Sequence, residues 1–120
     1  MTGPELRRET AREEEFARWA VEDAPRLLDV LVNGCVWDKS RAAEIAGELL
    51  PAEIIVPVLL ELLSDESACV REGATCGLLH HEERWSQYPR VRETLAELAG
   101  GDENEGMRMV AAAALRTEGA

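Results

Sequence analysis

The sequence predicts an all-α protein: a short α-solenoid of about three helical-hairpin repeats with an N-terminal capping helix. Aromatic residues make up only 4% of the chain, whereas Leu, Ala, Val and Glu dominate, which favours helices over a sandwich or barrel. Apolar residues recur at helical spacing along most segments. In addition, one motif occurs twice at a fixed separation, which indicates that one helical unit has been used twice.

The repeated motif is Asp-x4-Val-Arg-x2-Ala-x3-Leu. Its first copy consists of Asp65, Val70, Arg71, Ala74 and Leu78. In the second copy Met replaces Val, and every position lies 37 residues later (65 to 102, 78 to 115), at Asp102, Met107, Arg108, Ala111 and Leu115. A constant separation over the whole motif is typical of stacked repeats, which bury their apolar faces against each other and usually bind other molecules.

Residues 1–22 are predicted to form the capping helix. Its apolar stripe consists of Leu6, Phe16, Trp19 and Ala20, and most of its other residues are charged. The segment lies outside the repeat register, and the terminal units of a stack need a cover with a polar outer side.

The first repeat is predicted over residues 23–51. Asp23 suits a helix N-cap, Pro25 falls in the first turn, and Asn33-Gly34 ends this helix. A turn over residues 35–38 then leads to a second helix over residues 40–50, which Pro51 stops.

The second repeat is predicted over residues 52–81. Its first helix covers residues 52–63 and should bend at Pro57, and its second helix runs from the turn around Asp65 to about His80. Gly73 and Gly77 lie four residues apart on this second helix. They leave a flat strip where a neighbouring helix can approach closely.

The third repeat is predicted over residues 86–117, after a link over residues 81–88. Pro89 starts its first helix, Gly100-Gly101-Asp102 turns the chain, and the last helix covers about residues 105–117. This last helix is small and apolar on several faces from Val110 to Leu115. A homodimer through the C-terminal helix is therefore one expectation.

The helix, the turn with Asp and the following Val-Arg-x2-Ala-x3-Leu segment resemble HEAT repeats, including the HEAT-like repeats of bacterial proteins. Pro57 fits the resemblance, which covers residues 53–117 well and 23–50 weakly. It implies a right-handed α-solenoid. It also implies a structural ladder between repeats, made by the turn Asp and the following Arg, here Asp65 with Arg71 and Asp102 with Arg108. About three repeats make only a short arc.

The chain is strongly acidic, with a formal net charge of −11. This charge repels nucleic acids and anionic membranes and attracts a partner with a basic surface. No apolar run approaches the ~18 residues of a membrane span. The cysteines, Cys35, Cys69 and Cys76, are odd in number and form no Cys-x2-Cys pair. We therefore expect a reducing, cytoplasmic location.

We expect no catalytic site, no metal and no cofactor. Cys69, Cys76 and His80 share one helical stripe, but zinc sites use short ligand pairs, and only Cys76 and His80 lie close together. The segment His80-His81-Glu82-Glu83 superficially resembles a catalytic cluster, but no Ser or Cys nucleophile in the sequence has an evident base. No phosphate-binding loop is present, because Gly100-Gly101 lacks the following Lys and Ser or Thr.

The sequence predicts a non-catalytic protein–protein interaction module. In a HEAT-type stack the second helices line the concave side, so its candidate residues are Arg41, Glu44, Glu48 and Glu72. Trp and Tyr are frequent at binding hot spots, which adds Trp37, Trp85 and Tyr88; the alternative for each of these three is that it fills a gap between repeats. A sharper form of this hypothesis is an inhibitor or immunity-type protein that covers a basic enzyme such as a toxin nuclease. The alternative is a HEAT-like lyase or enzyme subunit that acts on a small molecule or cofactor, with Cys35 as its candidate residue.

Overall fold

The structure is a computed structural model that describes the backbone of residues 3–118 and the side chains of residues 11–116. Within this range the chain forms seven α-helices and one 3₁₀ helix, without a strand. In order they are α1 (Gly3–Glu22), α2 (Ala24–Asn33), α3 (Val36–Leu49), α4 (Ala52–Leu62), α5 (Ala68–Leu79), the 3₁₀ helix (Glu82–Gln87), α6 (Pro89–Gly101) and α7 (Glu105–Glu118). The all-α prediction is confirmed.

Helices that follow one another in the chain pack as pairs: α2 with α3, α4 with α5, and α6 with α7. Helix α5 also contacts both α3 and α7, and α1 packs on α2 and α3. One core runs through all the pairs and includes Phe16, Leu31, Leu59, Leu78, Leu95 and Met107. The superhelical, right-handed geometry of a solenoid stays a prediction.

Helix α1 buries the predicted apolar residues Phe16 and Trp19, whereas the side chain of Leu6 lies outside the described residues. Two guanidinium groups cover these rings. That of Arg12 lies 4.7 Å from the centroid of the Phe16 ring, and that of Arg26 of α2 lies 4.1 Å from the Trp19 ring. The Arg26 contact joins α2 to α1, so a cation–π interaction adds to apolar burial in holding these two helices together.

Helix α3 begins at Val36, four residues before the predicted start. The sequence prediction placed residues 35–38 in a turn, but Cys35 is the N-cap and only Gly34 and Cys35 separate α2 from α3. A Cβ atom at Gly34 would lie 2.6 Å from the carbonyl oxygen of Val30, so Gly is needed where the chain doubles back. The acidic side chain of Asp38 lies in the first turn of α3, where the helix dipole favours it.

Helices α3 and α5 approach each other through glycine. A Cβ atom at Gly73 would lie 2.5 Å from the carbonyl oxygen of Ser40, and one at Gly77 would lie 2.5 Å from that of Ala43. These contacts confirm the predicted flat strip on α5. Gly47 supplies the matching position on α3, since a Cβ atom there would overlap the Cα of Gly77. The short distance between the two helices brings their exposed side chains onto one surface.

Candidate functional site

A buried ion pair links the turn of the third helix pair to the second. Arg71 of α5 donates to Asp102 from Nε at 2.8 Å and from Nη2 at 2.9 Å, and its Nη1 donates to the carbonyl oxygen of Asp65 at 2.7 Å. Only 7% of Arg71 and 8% of Asp102 are exposed. One guanidinium therefore joins its own turn to the next one, with a bidentate contact that a carboxylate matches well.

Two further ion pairs extend this arrangement towards the N-terminus. Lys39 Nζ lies 3.3 Å from Asp65 Oδ2, and Arg12 Nη2 lies 2.9 Å from Asp38 Oδ2. Asp65 and Asp102 in the interhelical turns, and Asp38 in the first turn of α3, thus each receive a cation from an earlier segment of the chain. Arg71 and Asp102, two residues of the ladder that the resemblance implies, form a contact between neighbouring helix pairs. The carboxylate of Asp65 binds Lys39, and that of Asp102 binds Arg71.

These ion pairs shift the pKa of one acidic and one basic side chain. The pKa of Asp102 is lowered, chiefly by the hydrogen bonds from Arg71, while burial acts in the opposite direction. The pKa of Arg12 is raised, chiefly by its hydrogen bond to Asp38. Both groups are therefore held in their charged forms at neutral pH.

The exposed side of α3 carries four of the predicted partner-binding residues. Trp37, Arg41, Glu44 and Glu48 are separated by four, three and four residues, so they form one ridge along the helix. All four are exposed, and 70% of Trp37 is accessible to solvent. The N-terminal end of the ridge lies next to α1, where Arg41 pairs with Glu13.

The acidic surface continues from α3 onto α5 through Glu72. The pKa of the Cys76 thiol is raised by burial first and then by the negative charges of Glu44 and Glu72. Two carboxylates from neighbouring helices therefore act on one thiol. We call this surface the acidic face and define it as Trp37, Arg41, Glu44 and Glu48 of α3 with Glu72 of α5.

The other two predicted aromatic residues do not belong to the acidic face. Trp85 of the 3₁₀ helix is only 1% exposed, and its indole Nε1 donates to the carbonyl oxygen of Leu78 at 3.0 Å. Tyr88 is half-buried and packs against the core. Because the 3₁₀ helix folds back over the end of α5, Trp85 fills internal space and is not available to a partner.

Among the described residues, the cysteine and histidine side chains do not come together as metal ligands. Cys35 is exposed, and Cys69 and Cys76 are half-buried and free. Between residues 11 and 116, no group of three or more His, Cys, Asp and Glu side chains is arranged to hold a metal ion.

Replacing both Glu44 and Glu72 with Gln is expected to lower the pKa of Cys76, because nearby negative charge disfavours the thiolate. More thiolate would then be present at neutral pH, and iodoacetamide should alkylate Cys76 faster than in the wild type. Mass spectrometry of each cysteine measures the rates, and the exposed Cys35 serves as the internal control. An unchanged rate at Cys76 would mean that the two carboxylates do not act on it together.

Comparisons of the chain with protein-family models, with curated proteins and with solved structures found no match. No helix within residues 3–118 combines the length and apolar character needed to cross a membrane. Function is therefore inferred from the acidic face and from the ion pairs of the turns.

Proposed function

We propose that this protein is a non-catalytic, HEAT-like interaction module whose acidic face binds a partner protein with a basic surface. The observation that carries the proposal is the close approach of α3 and α5, where a Cβ atom at Gly73 would lie 2.5 Å from the carbonyl oxygen of Ser40. Glu44 of α3 and Glu72 of α5 both raise the pKa of Cys76. The exposed Trp37 lies on the same ridge. A large aromatic side chain beside charged groups is typical of a binding hot spot.

The distribution of cations supports an acidic binding surface. Arg71 pairs with Asp102 in the interior, and Arg12 and Lys39 pair with Asp38 and Asp65. The charges of these three cations are offset by their carboxylate partners, while the chain carries a net charge of −11. A basic partner would be steered towards the carboxylates of the acidic face, and its association rate would fall as salt screens the attraction over about 10 Å at 0.1 M.

The HEAT-like arrangement is part of this proposal. It is supported by the paired helices, by the contacts of α5 with α3 and α7, and by a cation at each of Asp38, Asp65 and Asp102. In such a stack α3, α5 and α7 line the concave side, which places the acidic face there. The sharper form is an inhibitor or immunity-type protein, which predicts that the partner is an enzyme whose activity falls on binding.

Reversing charge on the acidic face is expected to abolish tight binding. The partner is first isolated by affinity capture at low salt from the source of the protein and identified by mass spectrometry. The double variant Glu44→Lys/Glu72→Lys should then raise its Kd by at least about 100-fold, because close interfacial charge pairs contribute ~1.5 kcal/mol or more each and reversal adds repulsion. Isothermal titration calorimetry measures the change.

The matched control is Glu61→Lys/Glu93→Lys, which alters the net charge equally at exposed positions of α4 and α6. It should change Kd by less than about 10-fold, because charges outside a contact act mainly on the association rate. Equal losses in both double variants would show that only net charge matters. Capture of no stoichiometric basic partner would contradict the proposed function.

A further inference from the structure

A small pocket opens beside Trp37, where the N-terminal end of α3 lies next to α1. Its walls come from these two helices, namely from Arg12, Glu13, Trp37, Asp38 and Arg41. The volume is about 100 Å³, which is room for about three water molecules and well below the ~300–1,000 Å³ of typical small-molecule sites. The pocket therefore has the size of one protein side chain. We call it the Trp37 pocket.

The charged groups of the Trp37 pocket already bind one another or a close neighbour. Arg12 pairs with Asp38, with 2.9 Å between Nη2 and Oδ2, and also with Glu15. Arg41 pairs with Glu13. An incoming cation would find both lining carboxylates occupied, and an incoming anion would have to displace a carboxylate of the chain from its arginine. Because desolvation of a charge without a free counter-ion is costly, the pocket favours an apolar occupant.

The indole of Trp37 gives the pocket a large apolar wall that is mostly in water. Trp37 is 70% exposed, whereas the other two tryptophans, Trp19 and Trp85, are 7% and 1% exposed. Burial of an aromatic ring removes a large apolar area from water, and only two rotatable bonds have to be fixed. An apolar side chain placed against this indole would therefore contribute strongly to binding.

We propose that the Trp37 pocket receives one apolar side chain of the basic partner and so anchors that partner on the acidic face. This inference rests on the proposed function, because the acidic face continues from the pocket along α3. Glu44 and Glu48 follow Trp37 by seven and eleven residues, about 10 Å and 16 Å along the helix at ~1.5 Å per residue. The binding segment of the partner should therefore carry an apolar residue with basic residues at about these two distances from it.

The charge of the chain favours a different protein over a second copy as the occupant. Each copy carries a net charge of −11, so the carboxylates of the acidic face would meet a molecule of like charge. A basic partner instead pairs its cations with Glu44 and Glu48, while its apolar side chain enters between ion pairs that are already satisfied. The pocket is also not implied by the HEAT resemblance, because Arg12 and Glu13 belong to α1, which precedes the repeats.

The chemistry of the pocket can be tested without the partner. The N-acetyl amides of leucine, lysine and aspartate are titrated at high ionic strength, which screens the general attraction of a cation to the acidic chain. The indole N–H signal of Trp37 in a nitrogen–proton correlation spectrum is the readout, and its loss in Trp37→Phe assigns it. The leucine derivative should shift this signal saturably, with a Kd of the order of millimolar. The charged derivatives should bind at least about 10-fold more weakly.

The buried Trp19 and Trp85 provide internal controls, since their indole signals should stay in place. A Trp37 signal that the leucine derivative leaves unchanged would overturn the proposal, and so would equally tight binding of the lysine derivative. Sedimentation equilibrium tests the other occupant. A dimer that Trp37→Ala dissociates would show that a second copy fills the pocket, which would also overturn the proposal.

The anchoring role is tested with the captured partner. Trp37→Ala should raise Kd by about 30-fold or more, as hot-spot residues do, mainly through faster dissociation. The dependence of Kd on salt should stay that of the wild type, because the lost contact is apolar. Met109→Ala removes another exposed apolar side chain, on α7, and should change Kd by less than about 5-fold.

An effect of Trp37→Ala no larger than that of Met109→Ala would remove the anchor. A weaker salt dependence in Trp37→Ala would also overturn the proposal, because it would show that the occupant is a cation. In either case, loss of binding in Glu44→Lys/Glu72→Lys would leave the proposed function intact. Failure of this inference is therefore distinguishable from failure of the proposed function.

Discussion

Replacing Asp102 with Ala is expected to lower the free energy of unfolding by about 3 kcal/mol at neutral pH. The substitution leaves the guanidinium of Arg71 buried without its carboxylate, and it removes the acceptor of the Asn104 N–H. The cost comes mainly from the unpaired charge, since removal of one partner from a buried ion pair costs more than replacement of the whole pair. Chemical denaturation monitored by circular dichroism measures the change.

Glu103 provides the matched control, because it is the exposed acidic neighbour of Asp102 in the same turn. Glu103→Ala should change stability by less than about 0.5 kcal/mol. A double-mutant cycle with Arg71→Ala should show that the two substitutions are strongly non-additive. If Asp102→Ala costs no more than Glu103→Ala, the ion pair does not stabilise the junction between the second and third helix pairs.

The contribution of Asp102 should depend on pH with a definite sign. Its pKa in the folded protein is lowered, chiefly by the hydrogen bonds from Arg71, below the value of about 3.9 expected in the unfolded chain. The stabilisation is therefore fully present well above pH ~4 and is lost as the pH falls through the folded-state pKa. The stability difference between the wild type and Asp102→Asn should shrink in acid. A difference that is independent of pH would contradict this assignment.

Gly77→Ala is expected to destabilise the protein by about 2–3 kcal/mol, in spite of the better helix propensity of Ala. The added Cβ atom would lie 2.5 Å from the carbonyl oxygen of Ala43 and 2.9 Å from Cδ1 of Leu59. The Ala43 oxygen belongs to the backbone of α3 and has no rotamer by which to move away. Helices α3 and α5 would have to separate, which would loosen the buried contacts along both. Thermal and urea denaturation measure the loss.

Gly100→Ala is the control for this substitution. Gly100 lies in α6, a Cβ atom there meets nothing within 4 Å, and no described glycine has a positive φ. Ala at this position should leave stability unchanged or raise it by up to about 1 kcal/mol. Similar effects at Gly77 and Gly100 would mean that the two helices are not in close contact.

Local patterns predicted the parts of this structure that depend on spacing along one helix. The glycines Gly73 and Gly77 lie on one strip of α5, and α3 packs on that strip. Glu44 and Glu48 were placed on the concave side from the HEAT resemblance; both are exposed, and the concave position stays a prediction. Helical periodicity is sufficient for such predictions because it depends only on the rise and turn of the chain.

Features that depend on packing between segments were not predictable in the same way. The first unit departs from the repeated motif, because Glu44 stands six residues after Asp38 where the other units have Arg. The repeated motif therefore did not identify Arg12 and Lys39 as residues of the ladder. For Trp85, placed in a link, the sequence left partner binding and gap filling open, and its burial results from the 3₁₀ helix folding over the end of α5.

The most direct test of the acidic face is the alkylation of Cys76 in the complex with the captured basic partner. The negative charges of Glu44 and Glu72 raise the pKa of Cys76, so a partner bound there should change the rate of its reaction with iodoacetamide, because occlusion slows the reaction and neutralisation of the carboxylates speeds it. A cysteine introduced by Glu93→Cys on the exposed side of α6 should react at the same rate with and without the partner. Protection at position 93 with unchanged reactivity of Cys76 would contradict the account and place the binding surface elsewhere.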